Sequence, residues 1–158
     1  MGEVGPWFRR LPHFRLAFTP SSGDELQTEF LVPQEHARDV FRTLHGMRKE
    51  IAPLLLISEI RTIAADDLWM STAHGAPSVA FHFTWKPDWE GVRALLPRLE
   101  KALDPYEVRP HWGKLFTMSP DRLRARYDRL DDFRELAGEF DPNGTFRNAF
   151  VETYLFET

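Results

Sequence analysis

Apolar and polar positions follow two different periods along this chain, and each period predicts an element. "SVAFHFTW" (78–85) alternates with period two, Phe81, Phe83 and Trp85 on one side and His82 and Thr84 on the other, as a strand does. "ELQTEFLV" (25–32) and "LLLISEIRTIA" (54–64) also read as strands. "QEHARDVFRTLHGMRKEIA" (34–52) places Ala37, Val40, Phe41, Leu44, Met47 and Ile51 at helical spacing, between Pro33 and Pro53. "DWEGVRALLPRLEKAL" (88–103) predicts a second amphipathic helix, with Pro97 as a point of bending. A short fourth strand fits "YEVRP" (106–110). Beyond it lie two helical segments, "PDRLRARY" (120–127) and "LDDFRELAGEF" (130–140), then the turn "DPNG" and the tail "TFRNAFVETYLF".

The order β-α-β-β-α-β predicts an α+β fold of the ferredoxin-like, split β-α-β kind. Both helices then lie on one face of an antiparallel sheet, and the other face is free for a ligand. Three regions are expected. Residues 1–24 form an irregular arm, broken by Pro6, Pro12, Pro20 and "TPSSGD", whose Trp7, Phe8, Phe14 and Phe18 need a surface to lie on. Residues 25–118 form the ferredoxin-like domain, and residues 119–158 a C-terminal helical segment.

Composition narrows the function classes. The 158 residues are enough for one cored domain, and 42% hydrophobic with 28% charged residues is globular usage. A net charge of -4 argues against a nucleic-acid partner, which needs a basic field. With no cysteine there is no disulfide and no thiolate zinc site, which suits the cytoplasm. No apolar run reaches the length of a membrane span. The six histidines lack metal-ligand spacing, so no metal is expected, and no glycine-rich phosphate loop is present.

Strand parity makes one constellation stand out. Glu59 and Arg61 share a side of the second strand, and His82 and Thr84 share a side of the third. The aromatic side of the third strand is the natural one to meet the helices, which leaves all four polar residues on the free face. A solvated sheet surface with cross-strand pairs, worth ~1 kcal/mol or less each, is the plain alternative. Against it, four different functional groups stand here among Leu, Ile and Ala. "VRPHWGKLF" (108–116) gathers an arginine, His111, Trp112 and Lys114 in one short stretch. It reads either as a packed loop or as one wall of a site.

"RPHWGKLF" and "DRLRARYDRLDDFRELAGEFDPNGTFRNAF" are similar to the C-terminal end of the aldonolactone oxidases, FAD enzymes of the vanillyl-alcohol-oxidase type. "LPHFRLAFTPSSGDELQTEF" and "SEIRTIAADDLW" resemble, more narrowly, the bacterial alditol (xylitol) oxidases of that group. The resemblance covers nearly the whole chain. It implies that Glu59, Arg61 and Thr84 contact substrate hydroxyls, with His82 beside them. It also implies that Lys114 lies near the reacting carbon and that His111 touches the flavin.

The implied reaction oxidises the CH–OH of a polyol such as xylitol or sorbitol, with hydride passing to flavin N5 and oxygen giving hydrogen peroxide. Arg61 and Lys114 are the expected catalytic residues, as cations that stabilise a developing alkoxide, with Lys114 as base the alternative. The family's N-terminal FAD-binding domain has no counterpart in this sequence. The chain is therefore expected to be the substrate-domain portion, inactive alone, with residues 119–158 packing on the absent FAD domain. Uncovered apolar surface then predicts a homo-oligomer. Two alternatives stand beside this: a fragment of an aldonolactone oxidase, or a non-catalytic ferredoxin-like module that binds a polyol or a protein.

Overall fold

The computed structural model describes Gly5 and residues 24–156; the aromatic arm, apart from Gly5 and Asp24, lies outside the described residues. Strand β1 (Leu26–Pro33) passes through a single 3-10 turn into helix α1 (Ala37–Gly46) and the short helix α2 (Arg48–Ile51). Strands β2 (Leu55–Ile63) and β3 (Ser78–Trp85) follow, then helix α3 (Trp89–Leu103) and strand β4 (Arg109–Pro110). The sheet order is β2-β3-β1-β4 with every neighbouring pair antiparallel, so the split β-α-β arrangement is present. No helix among the described residues is long and apolar enough to cross a membrane.

The periodic faces lie where alternation predicts. Phe30 and Val32 of β1 and Phe81, Phe83 and Trp85 of β3 are buried with Val92, Leu95, Leu96, Leu99 and Leu103 of α3. The indole N–H of buried Trp85 donates to Thr28 Oγ1 at 3.1 Å, and its ring stacks on Phe83 at 5.0 Å. Helix α3 begins where Asp88 accepts the Gly91 N–H at 3.0 Å, and it runs through Pro97 to Leu103. One interior proline costs about 3 kcal/mol. Five buried side chains at about 1.5–3 kcal/mol each outweigh it.

Within the β-α-β-β-α-β unit two elements differ from the sequence expectation. The helix expected over 34–52 is interrupted at Met47 (φ −86°, ψ 3°), whose N–H is shared by the carbonyls of Thr43 and Leu44 after Gly46. The strand expected over 106–110 is only two residues long. Tyr106 closes a 3-10 turn, and Glu107 takes a left-handed conformation (φ 53°), which breaks the extended run.

The C-terminal segment holds helices α4 (Pro120–Arg124), α5 (Leu130–Phe140) and α6 (Ala149–Val151), the last continuing as a π-helical turn, Glu152–Phe156. Met118, Leu123, Tyr127, Leu130 and Leu155 join the core, while Phe140 and Phe146 stay exposed. Arg109 fastens this segment to the β2–β3 loop. It donates to the carbonyls of Arg126 (2.9 Å) and His74 (3.0 Å) and lies over the Tyr127 ring.

Candidate functional site

Register brings the polar stripe together on the face away from the helices. His82 is paired with Glu59 of β2 on one side and with Glu29 of β1 on the other, so three strands contribute to one row. Arg61 stands opposite Ala80, and Thr84 opposite Ile57 and Gln27. Glu59, Arg61, His82 and Thr84 therefore occupy one face. The face is graded from outside to inside. Glu59 and Arg61 are half exposed, Thr84 is partly buried, and His82 and Glu29 are 6% and 7% exposed.

The "HWGK" stretch reaches this row through a break in the β1–β4 pairing. Pro110 has no N–H, so the regular ladder ends there. The His111 N–H still donates to the Glu29 carbonyl (2.9 Å) and the Leu115 N–H to the Gln27 carbonyl (3.0 Å). Between these two tethers the backbone bulges out and closes with the Lys114 N–H on the His111 carbonyl (3.1 Å). Trp112 anchors the bulge by donating from its indole to the Met70 carbonyl (3.1 Å) and packing on Tyr127. Lys114 is thereby turned back over the sheet.

There Lys114 Nζ donates to Glu29 Oε2 and lies 2.9 Å from His82 Nδ1. His82 Nδ1 is also 3.2 Å from Glu29 Oε2, and its Nε2 is 3.1 Å from Thr84 Oγ1. Arg61 donates to Glu29 Oε1 at 3.2 Å and is paired with Glu59. Glu29 is thus the hub: an arginine, a lysine and a histidine, each from a different segment, converge on one buried carboxylate. Burial alone would raise its pKa, but the hydrogen bonds and charges of His82 and Lys114 outweigh it and hold the carboxyl at about 2.

Sequence reasoning missed Glu29. Its one local signal is a carboxylate two residues from Leu31 and Gln27 in a mostly apolar strand, and nothing nearby in sequence names its partners.

His111 lies beside this hub, within reach of the charges of Lys114, Glu29 and His82. Its Nδ1 accepts the Gly113 N–H at 3.0 Å, which leaves Nε2 to carry the proton and act as the free donor. Burial first, and then the charge of Lys114, push its pKa down and favour the neutral ring. Shallow hollows flank the bulge, one lined by Leu68, Met70, His111 and Trp112, the other by Gln27, Trp112, Lys114 and Phe150. The site thus offers cations at the inner end, an exposed Glu59–Arg61 pair at the outer end, and a neutral donor beside apolar walls. Such a set can bind vicinal hydroxyls and stabilise negative charge on oxygen.

A family model described as D-arabinono-1,4-lactone oxidase matches residues 24–154. Over 154 residues the chain is 53% identical to an alditol oxidase of Streptomyces sp. (strain IKD472 / FERM P-14339), covering 98% of this chain and 37% of that protein. It is 30% identical over 132 residues to an L-gulono-1,4-lactone dehydrogenase of Mycobacterium tuberculosis (strain ATCC 25618 / H37Rv), covering 82% and 30%. A long-chain alcohol oxidase from an uncultured marine euryarchaeote is 29% identical over 102 residues. The chain spans about a third of the length of the curated relatives it matches.

Proposed function

Because the chain belongs to the D-arabinono-1,4-lactone oxidase family, we propose that it is the substrate side of an FAD-dependent oxidase acting on the CH–OH of a polyol. The observation that carries this reading is the convergence of Arg61, His82 and Lys114 on buried Glu29, with Thr84 and Glu59 toward the outer rim. The likeness to an alditol oxidase supports an acyclic polyol as substrate.

FAD, when bound, supplies the hydride acceptor and passes the electrons on to oxygen. The neutral, Nε2-protonated His111 beside apolar hollows suits the polar edge of a planar ring system, and His111 is the residue of this chain assigned to hold it. The remaining work falls to the chain's own side chains. Glu59 accepts hydrogen bonds from substrate hydroxyls, and Arg61, aligned by Glu59 and Glu29, donates to them. Lys114, fixed by Glu29, is a cation beside the reacting oxygen and stabilises the alkoxide as it forms.

The hydroxyl proton passes through Thr84 to the Nε2 of a His82 ring whose Nδ1–H is given to Glu29, with Lys114 donating to the same carboxylate and not to the ring. Glu29 balances the new positive charge. Lys114 paired to a carboxylate is better suited to electrostatic stabilisation than to proton abstraction. In this reading an FAD-binding domain packs over the open face, and exposed Phe140 and Phe146 of the C-terminal segment belong to the surface it covers.

The test is a chimera in which this chain replaces the matching segment of a full-length alditol oxidase, assayed for xylitol-dependent hydrogen peroxide. Activity is expected, with Lys114→Ala lowering kcat/KM by about a hundredfold, the scale of one lost oxyanion donor. Unchanged turnover in Lys114→Ala would remove the lysine from the chemistry. The family description favours one second reading, an aldonolactone as substrate. A higher kcat/KM for the lactone than for xylitol in the same chimera would establish it.

A further inference from the structure

Strands β2 and β3 are joined by a loop, residues 64–77, that is closed on itself. Asp66 and His74 form an isolated bridge; the Asp66 N–H donates to the Ala73 carbonyl (3.2 Å) and the Gly75 N–H to the Asp66 carbonyl (3.0 Å). The Asp66 carboxylate accepts the Leu68 N–H (3.1 Å) and the Ser71 hydroxyl (2.6 Å), and Ser71 Oγ accepts the Ala73 N–H (3.1 Å). One aspartate thus joins the neck of the loop to its tip, and Ala73 between them is 1% exposed. So tied, residues 66–75 hold their own shape, and what is left to fix is where they stand.

Their place is set by the stretch that carries the bulge. Arg109 donates from Nη1 to the His74 carbonyl (3.0 Å) and, at longer range, to that of Thr72 (3.4 Å), and from Nε to the Arg126 carbonyl (2.9 Å). Trp112, three residues on, donates to the Met70 carbonyl (3.1 Å). The acceptors around the guanidinium are all backbone carbonyls, reached by a planar fork that a single ammonium cannot reproduce. The two side chains that fasten the loop bracket His111 in sequence, so the loop is held to the same backbone that presents the histidine. Leu68 and Met70 of the loop then line one hollow with His111 and Trp112 of the bulge.

We propose that loop 66–75 is a preformed wall of the site and that Arg109 is the positioning residue that sets it against His111. The effect on turnover rests on the oxidase reading; the fastening of the loop does not. With Arg109 gone, the loop keeps its internal bonds and its tether at Met70, and swings away from the bulge. The bonds that join Glu29 to Arg61, His82 and Lys114 do not pass through Arg109. The hollow at His111 is therefore altered while the substrate's polar contacts are kept.

The chain has no cysteine, so Ala73→Cys gives it a single thiol inside the loop, and Val92→Cys gives one in the core. Both thiols are expected to react slowly with a disulfide reagent. Adding Arg109→Met should speed labelling of the Ala73→Cys chain about tenfold, through local opening, and leave the Val92→Cys chain protected. Arg109→Lys, which keeps the charge and loses the fork, should act as Arg109→Met does. In the alditol oxidase chimera Arg109→Met should lower kcat about tenfold or more and leave the KM for xylitol unchanged, since a misplaced wall costs alignment and not contacts. Equal labelling with and without Arg109 overturns the proposal. So does faster labelling of both chains, which would make Arg109 a support of the whole fold, or full protection by Arg109→Lys, or an active chimera whose kcat is indifferent to Arg109→Met. A chimera inactive before any substitution counts against the oxidase reading alone, and the labelling then decides whether Arg109 holds the loop.

Discussion

Acid should loosen this protein largely through one carboxylate. Glu29 is buried, and its carboxyl titrates at about 2 instead of the ordinary 4.5. A depressed carboxyl contributes stability that is fully present above its unfolded pKa and is lost as pH falls through the folded one. The gap between 4.5 and about 2 corresponds to about 3 kcal/mol, lost between roughly pH 5 and pH 2. The perturbation is Glu29→Gln, which keeps the shape and removes the charge. At neutral pH it leaves Lys114 and Arg61 facing an amide, at a cost of about 3–5 kcal/mol for a broken buried ion pair.

The assay is urea unfolding at intervals from pH 7 to pH 2 on both proteins. Other carboxyls titrate in the same window, among them Asp104, whose hydrogen bond from Arg122 lowers its pKa, but they are common to both curves. The difference between the curves isolates Glu29. It should be largest at neutral pH and shrink steadily below about pH 5. Parallel curves, with the same deficit at pH 3 as at pH 7, would refute the claim that Glu29 is held ionised by its cationic neighbours.

Two further outcomes test the frame around the site by thermal unfolding. Thr28→Val removes the acceptor for the buried Trp85 indole N–H and should cost about 1–3 kcal/mol, the penalty of an unsatisfied buried donor. Asp88→Ala removes the N-cap of α3 and should cost about 1 kcal/mol, with Asp88→Asn largely preserving stability.

How much of this was legible in the sequence depends on how local each signal is. Alternation in 78–85 put Phe81, Phe83 and Trp85 against the helices and His82 with Thr84 opposite them, because a strand's period of two is a property of the backbone alone. The same parity grouped Glu59 with Arg61, and the β-α-β-β-α-β order implied that the two stripes would be neighbours. The break at Met47 and the shortening of β4 were not legible. One turns on a shared hydrogen bond after Gly46, the other on a left-handed Glu107 that composition does not announce.

Glu29 is the sharper case. Its partners lie 32, 53 and 85 residues away in Arg61, His82 and Lys114. They converge only because β1 is flanked by β3 on one side and by the bulge after β4 on the other. Alternation and helical spacing are set by each residue's near neighbours, so most of the elements, their buried faces and the grouping of Glu59, Arg61, His82 and Thr84 could be read from the chain alone. A buried carboxylate's charge state is set by groups brought to it through the sheet, so the tertiary structure alone decided which residue sits at the hub and what holds it ionised.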